Sequence, residues 1–533
     1  MSSYVSETLA RPFDIQPQSN ITKVGDPHDL LVQNQKKRPK FHLLIPSTKP
    51  SANLCKTLLS AAVLDYPPPT LLNYNGTEEN NPSGTAAFHK IVDYISSFDV
   101  HDKDIVLVVE ENTWFQLPAP LLIKLFDSHR KQSDVLLAKK YGLIEEERRS
   151  RTSGPQRFPK FTEKVIFGAS KVCPSNDRDK SARYAVPHST VPQDTDTQSK
   201  AEPSSTSESR NLRPYIEAGT FIGQVSDLRP IFSHVAEKLK VNQRKPLERQ
   251  SSFSEMFGKQ EYKRKEYLKS HQTAISRWIE WLGGKVGMSD KSTPKPSETF
   301  DLTTDEDQEY EFGIGIDYAS QLFLSMKEKH DDVTVTQFGD ASLDGNAATT
   351  AASSAHPLNN LPVGFIDVNS PFKQNIEPDS EARPLRSRID DLPDELSWSD
   401  IPLVTTSYKS GNNVPALLYF SNDEFLMNGW WAKMWYQPHA RALLRRYLRS
   451  SQGPSAAEAA AEGGGRWWDL RGGKGGVWTD RDEWLEWNEV CSGFEDEIFG
   501  DNMGAIGEEE GADAPVYNSF GLLMSGKGKG HQH

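Results

Sequence analysis

The chain is poor in cysteine, poor in long apolar runs and without an excess of positive charge. Among its 533 residues there are three cysteines, Cys55, Cys173 and Cys491. They lie far apart and none has the short spacing of a metal-ligand pair, so neither a disulfide-dense scaffold nor a zinc module is expected. Cys55 falls in an apolar helical stretch and is expected to be buried and inert. No stretch of about 20 apolar residues occurs, which excludes a transmembrane helix by composition. The first 40 residues are polar and hold no apolar core of signal-peptide type. This makes the cytosol the default expectation, with a Golgi or secretory lumen as the alternative if an upstream segment is missing. The formal net charge is −13, from 61 basic and 74 acidic residues. A surface of that sign repels a phosphate backbone, so nucleic acid is not an expected partner. Gly-x-Ser-x-Gly, phosphate-loop, His-Glu-x-x-His and Cys-x-x-Cys patterns are also missing, leaving hydrolase, nucleotidase and zinc classes without support.

What is present is a series of short apolar runs alternating with helical ones. Phe41–Pro46, Leu71–Tyr74 and Asp104–Val109 read as strands; Leu54–Val63, capped by Ser51 or Asn53, and Gly84–Ser97 read as helices. Asp104–Val109 is β-branched and apolar on both faces, as a central parallel strand requires. Strand–helix–strand order of this kind predicts an α/β sheet built from right-handed crossovers. Further along, Leu121–His129 reads as a helix, Asp134–Ala138 and Lys164–Gly168 as strands, and Tyr215–Gly223 as an ordered, strand-like segment. Ser226–Leu239 and Phe253–Lys269 read as helices, Leu403–Thr406 and Pro415–Phe420 as late strands, and Trp430–Leu448 as one helix. Residues 1–38 read as a disordered leader. The main domain is expected over 39–450, with polar insertions near 174–212, 285–309 and 339–358. A Trp-rich extension over 451–504 and a disordered tail over 505–533 follow.

Chemistry is expected where a buried strand ends. Glu110, Glu111 and Asn112 directly follow the central strand, where open α/β sheets place their ligands. Their side chains are hard oxygen donors suited to a divalent ion, Mn or Mg, on a diphosphate; the alternative is a solvated turn. Gly219 and Gly223 bracket a strand-like segment and allow either close approach to a sugar or tight packing. Asp317 is either a functional acid or a helix cap. Trp430, Trp431, Trp435 and Tyr436 either stack on sugar faces or fill a core. His439 and Arg441 either reach a diphosphate or pair on a helix surface.

Several blocks occur in a consistent order: Trp114-Phe-Gln-Leu-Pro118, Val165-Ile-Phe-Gly-Ala169, Ala218-Gly-Thr-Phe-Ile-Gly223, Phe257-Gly-Lys-Gln-Glu-Tyr262, Gly315-Ile-Asp-Tyr318 and Trp430–Arg441. In these the chain resembles fungal glycosyltransferase-like proteins related to the glycosyltransferase domain of procollagen lysyl hydroxylases. The resemblance implies a GT-A-like, Rossmann-like fold with a mixed, mostly parallel sheet. It also implies transfer of a hexose from a UDP-sugar, or another nucleotide-sugar, to an acceptor it does not name. On that reading Pro46, Ser47, Tyr74, Gly219 and Thr220 line the donor, Glu110, Glu111 and Asn112 face the metal, and Asp317 is the matched catalytic acid. The family's Asp-x-x-Asp falls here on Asn112 and on Val109 or Glu110, and its late histidine falls near Tyr419. Those departures open a second reading, a catalytically inactive fold that serves as a binding or scaffold module.

Overall fold

The computed structural model describes residues 39–76, 85–146, 156–171, 213–241, 249–271, 310–327 and 332–338, then short stretches between 363 and 408. It continues with 411–420, 423–449, 475–507, 516–517 and 523–525. The expected leader, the three polar insertions, the first part of the Trp-rich extension and most of the tail lie outside the described residues.

The strands begin with β1 (Phe41–Pro46), β2 (Thr70–Leu72), β3 (Ile105–Val109) and β4 (Thr113–Phe115). A small hairpin follows, β5 (Leu143–Glu146) with β6 (Gln156–Pro159), then β7 (Val165–Ser170), β8 (Tyr215–Gln224), β9 (Ile314–Ile316) and β10 (Phe323–Ser325). β11 (Val333–Thr336), β12 (Leu403–Tyr408) and β13 (Gly411–Asn413) form a separate antiparallel sheet. β14 (Leu417–Tyr419), β15 (Val477–Thr479) and β16 (Trp484–Leu485) complete the main sheet. Its order is β16-β15-β2-β1-β3-β8-β7-β10-β14-β4, with β9 also on β7. β15, β2, β1 and β3 run parallel, as do β9, β7, β10 and β14. β8 lies antiparallel between the two groups, and β16 and β4 are antiparallel at the edges. The protein is therefore α/β, with a mixed, mostly parallel sheet.

Period-2 alternation builds the layers on either side. From β1 and β3, Phe41, Leu43, Ile45, Ile105, Leu107 and Val109 face one core. Helix α1 (Ala52–Ala62) lies in that layer, and Ser51 caps it by accepting from the Leu54 N–H. The intervening Leu44, Val106 and Val108 face the opposite core, with Phe88 of α2 (Thr85–Ser96). Phe232 of α4 (Val225–Val241) and Phe253 of α5 (Arg249–His271) complete that layer. His42 and Asp104 are the polar exception. The His42 imidazole lies 3.2 Å from the fully buried Asp104 carboxylate, which also accepts from the Lys40 and His101 N–H groups.

Two segments depart from the expected elements. The apolar run Asp134–Ala138 is not a strand; it continues α3 (Ala119–Tyr141), a single helix that starts after Pro118 and stops at Gly142. Gly142 has φ +88°, a conformation that favours glycine, and Val135 and Leu136 remain exposed. A short apolar run cannot distinguish strand from helix by periodicity, and here helix continuity prevails. The segment 430–448 is broken rather than one helix. It comprises the end of α6 (Glu424–Trp431), a 3₁₀ turn at Gln437–His439 and α7 (Ala440–Arg449). Pro438, with no N–H to donate, sits in that break.

The aromatic block packs inward. Trp431 donates to the Ile498 carbonyl, Trp435 to that of Gln116, and Trp430, Trp431, Trp435 and Tyr436 are all buried. Gln116 is itself fully buried and bonds the backbone of Val404 and Pro415, pinning β12 beside β4. Arg441 pairs with Asp501.

The cysteine expectation is also corrected. Cys55 of α1 is joined by a disulfide to Cys491 at the end of α8 (Trp487–Cys491), across a sequence separation of 436 residues. Spacing along the chain says nothing about such a pair, because folding creates the proximity. The bond fastens α8 and α9 (Glu495–Phe499) to the first helix, while β15 adds to the sheet beside β2.

Two outcomes test this architecture. Opening the disulfide with Cys55→Ser lowers stability by about 3–5 kcal/mol, because it releases a very long loop in the unfolded chain; denaturant melts with and without reductant should show the same difference. The second concerns Asp104. Burial raises its carboxyl pKa, but bonds from His42, Lys40 and His101 outweigh burial and hold it below the ordinary value. Its stabilisation is thus present above about pH 4 and lost as pH falls through the lowered folded value. Asp104→Asn should cost about 3 kcal/mol at pH 7 in urea melts, and that cost should shrink steadily toward pH 2.

Candidate functional site

The C-terminal ends of β3, β10 and β14, together with the first half of antiparallel β8, meet along one edge of the sheet. β8 is irregular there. Opposite β7 its register jumps from Phe167↔Phe221 to Gly168↔Glu217, so Ala218, Gly219 and Thr220 bulge against a single step of β7. On its other side β8 still pairs with β3, up to Val109↔Thr220. The bulge therefore lies over the end of β3, where the chain turns through Glu110, Glu111 and Asn112 and returns as β4 against β14.

Four side chains converge on that bulge. The Tyr419 hydroxyl donates to the Glu110 carboxylate at 2.7 Å. The Lys327 ammonium, two residues past β10, donates to Glu217 Oε2 at 2.8 Å and lies 5.0 Å from the centre of the Tyr419 ring. Gly219 makes the approach possible: a Cβ there would stand 3.1 Å from both Glu110 Cδ and Tyr419 Cζ. Behind the bulge, the Gln250 side chain of α5 accepts from the Ala218 N–H and donates to the Ile216 carbonyl. The Glu217 side chain is 6% exposed and that of Lys327 34%, so the ion pair runs from the interior to the rim. Burial raises the Glu217 pKa, Lys327 opposes the rise, and the neighbouring Glu110 charge adds to it.

The other expected site residues fall in different places. Glu111 turns toward β1, where it accepts from the Ser47 hydroxyl at 2.9 Å, and its carbonyl accepts from Thr57 at 2.6 Å. Pro46 ends β1 opposite Leu72, and Tyr74 lies in the turn after β2, with its carbonyl held by Arg481. Ser47, Tyr74 and Glu111 thus share the neighbouring stretch of the same edge. Asn112 is buried, and its carbonyl accepts from the Phe420 N–H; it belongs to the turn's support more than to its rim. Thr220 is buried within the sheet with its hydroxyl toward Gly168, away from the edge.

Asp317 is fully buried and accepts from the N–H groups of Gln321, Leu322 and Phe323 at 3.0, 2.6 and 2.9 Å. It fixes the turn that carries the chain from β9 to β10, both of which pair with β7. Of its two expected roles, the cap is what the contacts show, although what it caps is a strand-to-strand turn.

Sequence reading missed Glu217 and Lys327 as a pair. Glu217 is an acid inside an apolar strand, which is a signal in itself; Lys327 carries none, since only the sheet brings β10 next to β8. Compared with known proteins, the chain matches no protein-family model and no curated protein.

Gly219→Ala should be destabilising by about 1–3 kcal/mol, because its methyl group displaces the Glu110–Tyr419 bond. Pairing it with Tyr419→Phe in a double-mutant cycle of urea melts should give a non-additive sum.

Proposed function

We propose that the chain is a glycosyltransferase-like protein of GT-A type that takes a nucleotide-sugar, a UDP-sugar in the first instance, at this edge of the sheet. The observation that carries the reading is the Glu217–Lys327 pair beside Glu110–Tyr419, placed over a glycine bulge at the strand ends. In a mostly parallel sheet that edge is where nucleotides bind. Carboxylates there accept hydrogen bonds from sugar hydroxyls, and an ammonium faces a departing diphosphate. Glu217, its pKa raised by burial, is suited to take a proton from an acceptor hydroxyl. Ser47 and Tyr74 lie along the adjoining edge, where the nucleoside would extend.

A divalent cation does not suit the residues present. Glu110 is engaged by Tyr419, Glu111 by Ser47 and Glu217 by Lys327. Among the described residues no three His, Cys, Asp or Glu side chains gather as a metal group. No step is assigned to a metal, and Lys327 supplies the positive charge in its place.

Two further features bear on this reading. The Cys55–Cys491 disulfide favours an oxidising lumen over the cytosol, since such bonds persist mainly in oxidising compartments. No helix among the described residues is long and apolar enough to cross a membrane. The inactive binding-module alternative draws on the same engaged carboxylates.

Calorimetric titration with UDP in EDTA should show binding that Lys327→Ala weakens about tenfold, the scale of one lost charge-assisted hydrogen bond. Glu217→Gln should retain UDP binding but lower turnover of UDP-glucose or UDP-galactose by about 100-fold or more. Binding that appears only with manganese would return the site to metal chemistry. UDP binding without turnover would select the inactive module, and a flat titration of folded protein would end the nucleotide reading.

A further inference from the structure

Four of the eight large apolar side chains left exposed among the described residues fall between residues 135 and 144. Val135 and Leu136 lie near the end of α3, and Leu143 and Ile144 open β5. Val135 is 68% exposed and Leu143 51%, so neither is the margin of a core. Gly142 ends the helix between the two pairs, and β5 and β6 form a two-stranded sheet of their own. Single apolar residues scattered over a surface need no explanation, whereas a group of them marks an interaction site.

Positive charge surrounds this group. Lys131 and Lys139 stand four residues before and after Val135, about one turn away on the same side of α3, and both are exposed. The Lys160 N–H donates to the Gly142 carbonyl, which puts exposed Lys160 at the foot of the hairpin, its ammonium 5.5 Å from the Tyr267 ring. There Tyr141, Phe161 and Tyr267 pack edge to face, with ring centres 5.0 and 5.3 Å apart. That contact brings up the last turn of α5, where Lys269 is exposed. The described acids of this region are set back or paired. Asp127, Asp134 and Glu163 are half-buried, Glu145 holds Arg157 at 2.8 Å, and Glu266 pairs with Lys263 at 3.4 Å.

We propose that the end of α3 and the foot of this hairpin are a docking surface for an anionic lipid bilayer. The apolar side chains enter the boundary between headgroups and acyl chains, and the lysines reach past them to the lipid phosphates. The net charge of −13 does not prevent this, because charges beyond about 10 Å are screened at ordinary ionic strength and the local cations decide. A bilayer suits this surface better than an acidic peptide, since the apolar groups project from the outside of a helix and a hairpin, whereas a peptide is held in a groove or along a sheet edge. The contact is peripheral, as no described helix is long and apolar enough to cross. The surface does not rest on the nucleotide reading, whose residues lie at the strand ends.

Cosedimentation of the full chain with vesicles tests it. The chain should bind phosphatidylcholine vesicles containing about a third phosphatidylserine, bind pure phosphatidylcholine about tenfold more weakly, and leave the anionic vesicles as salt rises. Val135→Ser with Leu143→Ser should weaken binding about tenfold or more. Lys131→Gln with Lys139→Gln should do the same, and this pair keeps the test open if the first does not fold. Phe98→Ser and Phe425→Ser, at the two most exposed apolar side chains elsewhere, should bind as the wild type does. Absence of binding to anionic vesicles would overturn the surface, as would binding lost in the Phe98 or Phe425 variant and kept in the α3 variants. Capture of polyglutamate without vesicle binding would overturn it in favour of an acidic protein. A dimer in sedimentation velocity that Val135→Ser dissolves, again without vesicle binding, would overturn it in favour of a second copy. UDP titration of the same variants should match the wild type, so failure of this surface and failure of the nucleotide site are read separately.

Discussion

The burial of the central strands on both faces is the constraint from which the rest follows. Along Ile105–Val109 every side chain faces one of two cores, so no charge can stand on the strand without a buried partner. The chain's first opportunity for an exposed polar group is the turn after Val109, and Glu110 takes it. The same condition acts on β7, which Lys171 directly follows, and on β10, which reaches Lys327 after only one more residue. Charged side chains such as Glu110, Glu217 and Lys327 collect at one edge because the packing of both faces leaves them little other place.

The antiparallel strand β8 is the exception that shapes that edge. Running against its neighbours, it brings the start of its own sequence to the level where theirs end. Glu217 and Gly219 therefore stand beside Glu110 and Lys327 although they open a strand rather than close one. The bulge at Ala218–Thr220 then gives up ladder pairing with β7 over three residues, and Gly219 turns the freed space into close approach. A regular ladder with an ordinary side chain there would have held Glu110 and Tyr419 apart. The irregularity is what converts a sheet edge into a group of interacting side chains.

Legibility in the sequence followed how local each signal was. The strand Ile105–Val109 and its polar terminus were readable because a doubly buried strand writes both faces into five consecutive residues. The two α/β layers followed from the same alternation. The helix α3 was misread because Val135 and Leu136 are apolar yet exposed, and no local pattern distinguishes an exposed apolar pair from a buried strand. Glu110 was legible as a candidate, but its partner Tyr419 and the pair Glu217–Lys327 were not, since they depend on which strands become neighbours. Asp317 was readable only as two alternatives for a related reason: an acid after a short strand has the same appearance whether it serves a ligand or a turn. The disulfide is the limiting case, with its two halves nearly a full chain length apart.

The disposition of charge along the edge sets what can bind there. Glu110, Glu111 and Glu217 are each engaged by a different donor, from β14, β1 and β10, so they are not arranged as one cage around a cation. The positive groups are distributed otherwise: Lys327 is tied to Glu217, while Arg213 and Lys171 both donate to Asp332. A chain with a net charge of −13 repels anions in general. At the end of β7, Lys171 and Arg213 both donate to the buried Asp332 carboxylate, so positive groups stand there against that overall sign. Arg213 can never become neutral, so its burial depends on the ionised partner that Asp332 supplies.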